Sequence, residues 1–83
     1  MTRLWSHGDA ITVSTRRGAP VSFVWQDREH RVVSIAKRWR VDEGWWRDRV
    51  WRECFKLATD TDLLVVIYRD LVSGEWYLQR LYD

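Results

Sequence analysis

Apolar side chains recur at every second position along short runs of this chain, and turn-forming residues separate one run from the next. A period of two puts one face of a strand against a core and the other toward water. Ala10-Ile11-Thr12-Val13-Ser14-Thr15 alternates apolar and hydroxyl side chains. Arg17-Gly18-Ala19-Pro20 breaks that run with Gly and Pro, as a turn does. Val21, Phe23 and Trp25 then share a face, and Asp27-Arg28-Glu29-His30 closes a hairpin as a charged loop. Val33, Ile35, Lys37, Trp39 and Val41 form the next, mainly apolar face, opposite Ser34, Arg38 and Arg40 as a basic exposed face. A helix competes for residues 31–40, but the β-branched content favours a strand. Residues 42–49 read as a loop around Gly44. Trp51, Phe55 and Leu57 share a face of residues 50–58, and Thr59-Asp60-Thr61-Asp62 is a turn of hydrogen-bonding side chains. Residues 63–68 are apolar on both faces, which predicts a central, covered strand. After a turn at 70–74, residues 75–82 put Trp76 and Leu78 on one face and Tyr77 and Leu81 on the other.

About six short, mostly antiparallel strands follow, with no helix, so the expected fold is all-β: a small barrel or a strongly curved meander. Residues 1–83 make one domain, and residues 1–9 read as a polar lead-in to it. A chain of this size buries only about 60% of its unfolded surface, so its core is thin. A disulfide cannot thicken it, because Cys54 is the one cysteine. Cys54, His7 and His30 do not have zinc spacing, so neither metal nor cofactor is expected. Seven tryptophans, three tyrosines and two phenylalanines can fill the core, and are more than it comfortably hides. Some should therefore mark an interaction surface.

Catalysis is not expected. His7 and His30 fall in predicted loops without an orienting acid or a nucleophile. Cys54 on a strand reads as a small core residue, and the four glycines are isolated, so there is no phosphate loop. No apolar run approaches the about 18 residues of a membrane span. Residues 1–9 lack the apolar core of a signal peptide, and with an unpaired cysteine the expected location is cytoplasmic.

The segment that stands out runs from 38 to 52 and holds five arginines, four tryptophans and three acids. Arginines beside rings suit single-stranded nucleic acid, where cations neutralise phosphates and rings stack on bases. The same residue types dominate protein–protein hot spots. Twelve arginines against two lysines point the same way, although a GC-rich genome produces that bias too. Trp39 and Trp51 fall on apolar faces and read as core. Trp45 and Trp46 are adjacent, so extended backbone would point them oppositely. The candidate binding residues are Arg38, Arg40, Trp45, Trp46, Arg47, Arg49 and Arg52. Pairing of these arginines with Asp42, Glu43 and Asp48 is the bland alternative.

Residues 39–83 also carry an ordered pattern: Gly44-Trp45-Trp46, then Arg52, Phe55 and Leu57, then Val66-Ile67-Tyr68-Arg69-Asp70, Trp76-Tyr77-Leu78 and a closing Leu81-Tyr82-Asp83. The pattern resembles the extreme C-terminal module of ImuB-type proteins, inactive relatives of Y-family DNA polymerases, and small stand-alone bacterial proteins that share it. Where that pattern has an aromatic pair, this chain has Cys54-Phe55. The resemblance implies an accessory role in DNA damage tolerance and no polymerase activity. The leading expectation is a non-catalytic binding module of DNA repair or translesion synthesis that contacts single-stranded DNA. The rival is a protein-interaction module that docks on a replication or repair protein, or self-associates as a homodimer through a strand edge.

Overall fold

A computed structural model describes the backbone of residues 2–44 and 49–82, and side chains from Gly8 onward. Six strands follow in chain order: β1 (Thr2–Arg16), β2 (Ala19–Trp25), β3 (Arg28–Gly44), β4 (Arg49–Thr59), β5 (Leu64–Asp70) and β6 (Trp76–Tyr82). Each pairs antiparallel with its neighbour in sequence, and β1 also pairs with β6, so the sheet closes into a barrel. Among the described residues no helix is long and apolar enough to cross a membrane.

The inward side chains follow from the register. Phe23 lies opposite His30, Phe55 opposite Ile67, Leu57 and Leu81 opposite Val65, and Ile11 opposite Trp76. With Trp25 and Leu78 they form one apolar cluster. Each such side chain contributes roughly 1.5–3 kcal/mol through burial, so this interior is the principal source of stability. Residues 65–68 are buried on both faces, as a central strand should be.

Both early hairpins turn on two consecutive left-handed residues, Arg17-Gly18 and Gln26-Asp27. Such paired turns match the strand twist and allow two-residue connections. Hence the predicted loop at 27–30 shrinks to its first residue, and Arg28, Glu29 and His30 belong to β3. His30 is buried rather than in a loop, bonded through Nδ1 to the Thr61 hydroxyl at 2.6 Å and stacked on Phe23. The stretch read as a polar lead-in continues β1 and supplies the ladder to β6. The predicted loop at 42–49 narrows as well, because Asp42, Glu43 and Gly44 pair with Trp51, Val50 and Arg49.

Bulges account for the other departures from strict alternation. An extra residue advances the side-chain phase by one and exchanges the two faces beyond it. Val21 is the extra residue where Ser14↔Ser22 gives way to Thr15↔Pro20; it is exposed while Pro20 is buried. Val33 and Ala36 are extra residues in β3, facing β4. Beyond Ala36, the even-numbered Arg38 and Arg40 lie on the barrel's inner side and Lys37, Trp39 and Val41 on its outer side. The expected core face of residues 33–41 is therefore dismantled, and Trp39 is half-buried outside the apolar cluster. In β6 the bulge residue is Gln79, which returns Leu81 to the same interior as Leu78.

Candidate nucleic-acid interface

The residues expected to bind divide between the two sides of the sheet. On the inner side, past the mouth of the barrel, Arg38 and Arg40 reach one buried carboxylate. Arg38 Nη2 donates to Glu53 Oε1 at 2.9 Å, and Arg40 Nη2 and Nε donate to Oε2 at 3.0 and 3.2 Å. The Arg38 guanidinium also lies over the Phe55 ring, 5.1 Å from its centre. Arg49 pairs with Asp42 at 3.5 Å and covers the Trp51 ring at 4.5 Å. Trp51 is thus a half-buried platform for a cation, not the core residue its alternation suggested. Arg52 faces the outer side, over Tyr68 at 4.4 Å. Trp45, Trp46 and Arg47 lie outside the described residues.

The outer side holds a second group, which the sequence reading did not select. Register places Lys37 opposite Lys56, Lys56 opposite Val66, and Val66 opposite Arg80, in one row across β3, β4, β5 and β6. Lys37 and Lys56 are the chain's two lysines. Like charges directly opposite each other destabilise a sheet, and the rings beside the two lysines offset only part of that local cost. Next to it runs a second row, Trp39, Cys54, Tyr68 and Tyr77. Tyr82, opposite Leu64, lies on the other flank.

Rings and cations meet throughout this face. Lys37 Nζ stands 5.4 Å from the Trp39 ring centre, and Lys56 Nζ 4.8 Å from that of Tyr82. Arg80 Nη1 donates to the Tyr82 hydroxyl at 3.2 Å. That hydrogen bond holds the Tyr82 phenol below its ordinary value near 10.0; the charges of Arg80, Lys56 and Lys37 add to it and slight burial opposes it. Lys37, Trp39, Lys56, Val66, Gln79, Arg80 and Tyr82 together line an open pocket of about 290 Å³. The Gln79 bulge is what lets two successive residues of β6 reach it.

The two sides differ in charge compensation. Arg38, Arg40 and Arg49 are held by acids. Among the described residues, no carboxylate lies within ion-pair distance of Lys37, Lys56, Arg80 or Arg52. Cys54 is buried within the outer face, and that burial pushes its thiol above the ordinary value of 9.0, away from the reactive thiolate. Among the described residues no cluster of three His, Cys, Asp or Glu could hold a metal. Such a face can attract an anion and stack a planar group.

A signal for this site is present in the sequence. The chain uses lysine twice among fourteen basic residues, and each lysine sits within two positions of a candidate strand face. Their opposition across the sheet depends on the Ala36 bulge, which no local pattern announces. Comparison with protein-family models, with curated proteins and with solved structures finds no match to this chain.

Proposed function

We propose that this domain is a non-catalytic module that binds single-stranded nucleic acid across the outer face of β3, β4, β5 and β6. The observation that carries the reading is the row Lys37, Lys56 and Arg80, uncompensated by acids among the described residues and flanked by the rings of Trp39 and Tyr82. Phosphates need fixed cations, and exposed bases need rings; each base–ring stack is worth roughly 1–3 kcal/mol. Arg52, which covers the buried Tyr68 ring, lies on the same side of the sheet. Arg38, Arg40 and Arg49 then serve the fold more than the ligand. An accessory role in translesion synthesis rests on the resemblance of residues 39–83 to the ImuB-type module.

Tryptophan fluorescence titrated with an oligothymidylate tests the reading. Three or four phosphate contacts give a slope of log affinity against log salt of about −2 to −3. Affinity should therefore fall about 20- to 60-fold between 50 and 200 mM salt. Absence of quenching at both salts rules out nucleic acid.

One observation favours a second reading, self-association. The β2–β3 ladder ends at Ser22↔Arg31, so residues 32–44 of β3 pair with β4 alone among the described strands. Val33 is 66% and Ile35 40% exposed along that edge. An open edge is a template for a further strand, and a molecular mass that rises with concentration in light scattering would favour it.

A further inference from the structure

The pocket on the outer face is small and unusually cationic for its size. Lys37, Lys56 and Arg80 all line it, and among the described residues no carboxylate does. Its volume of about 290 Å³ is at the low end for ligand sites and suits one nucleotide rather than a run of them. A phosphodiester inside a strand carries a single negative charge, which one cation can neutralise. A phosphate monoester carries about −1.5 to −2 at pH 7, because its second ionisation lies near pH 6. Two lysines forced directly opposite each other, with an arginine on the same row, are compensated far better by the second kind of group.

We propose that this pocket recognises the phosphate monoester of a nucleotide, with Lys37, Lys56 and Arg80 around the phosphate and the Trp39 and Tyr82 rings beside the base. The inference rests on the reading of this face as a nucleic-acid surface and sharpens it. The monoester has two sources: the terminal phosphate of a single strand, or a free mononucleotide. Gln79, whose amide both donates and accepts, lines the same pocket and is placed to contact either the phosphate or a base edge.

Fluorescence titration of the wild-type chain with four ligands separates the possibilities: a decathymidylate with hydroxyl ends, the same strand with a 5′-phosphate, the same strand with a 3′-phosphate, and thymidine monophosphate. The expected result is at least a tenfold preference for a phosphorylated end over the hydroxyl-ended strand. That preference should grow as pH rises from 5.5 to 7.5, following the second phosphate ionisation, and should shrink in Lys37→Gln. Equal binding of all three strands overturns the monoester pocket and leaves the nucleic-acid reading intact. Binding of thymidine monophosphate without any strand upholds the pocket, identifies a free nucleotide as its ligand, and overturns the nucleic-acid reading. Binding of none of the four overturns both.

Discussion

Replacing Glu53 by glutamine separates the two sides of the sheet in one experiment. Glu53 is buried, its side chain 9% exposed, and it accepts three hydrogen bonds from Arg38 and Arg40. Glutamine keeps the volume and one acceptor, but turns an NH₂ group toward one of the two guanidinium groups. Breaking a wholly buried ion pair costs about 3–5 kcal/mol. Here the Arg38 and Arg40 side chains are 52% and 64% exposed, so both can turn to water when released. Exposed pairs are worth about 0–1 kcal/mol each, which puts the loss at about 1–2 kcal/mol. For a domain of this length that lowers Tm by about 5–15 °C. Urea unfolding followed by tryptophan fluorescence reads the loss as a lower midpoint at unchanged slope. Oligothymidylate affinity should stay within about twofold, because the binding face lies on the other side of the sheet. A loss below about 0.5 kcal/mol would show that the carboxylate does not hold the hairpin. A tenfold gain in affinity would show that the released arginines bind DNA, which refutes the choice of face.

Three further perturbations probe the frame. Burial holds the His30 imidazole below its ordinary value of 6.5, with the Arg28 charge adding to the effect and Asp60 and a Trp25 backbone bond opposing it. The unfolded chain therefore takes up this proton more readily, so stability is full above pH 6.5 and falls as pH drops below it; urea midpoints between pH 7 and 5.5 should show a slope that His30→Gln flattens. Gly8 has φ +75°, and an added Cβ would lie 2.7 Å from Tyr77 Cβ and 2.8 Å from the Tyr68 hydroxyl. Gly8→Ala should cost about 2–4 kcal/mol in the same assay. Gln26 and Asp27 occupy left-handed positions, with φ 52° and 60°; the pair Gln26→Asn with Asp27→Gly should stabilise by about 1 kcal/mol, seen as a higher Tm.

The strand count, the all-β class and much of the interior were legible because a period of two survives wherever the ladder is regular. Phe55, Leu57 and Trp51 do share a face, and residues 65–68 are covered on both sides. What escaped depends on single inserted residues. Ala36 turns Trp39 outward, Gln79 turns Leu81 inward, and Val21 leaves its place to Pro20. A bulge is set by the partner strand, and a one-dimensional pattern does not carry the partner. The His30 burial follows from a turn too tight to hold the loop first read there. The candidate site shows the same logic. Arginines crowded along residues 38–52 marked a rich segment, yet Glu53, just beyond it, neutralises Arg38 and Arg40, and Asp42 neutralises Arg49. Arg52 alone, among the expected residues the structure describes, stands on the face that gathers Lys37, Lys56 and Arg80.

The proposed function requires the outer face to bind and the inner one not to. Charge reversal of one residue on each side tests it: Lys56→Glu against Arg40→Glu, both titrated with the same 5′-phosphorylated oligothymidylate at 50 mM salt. Lys56→Glu should lose more than tenfold in affinity, and Arg40→Glu less than threefold once its folding is verified by circular dichroism. A large loss in Arg40→Glu with Lys56→Glu unchanged would rule out the outer face and move the binding surface to the mouth of the barrel.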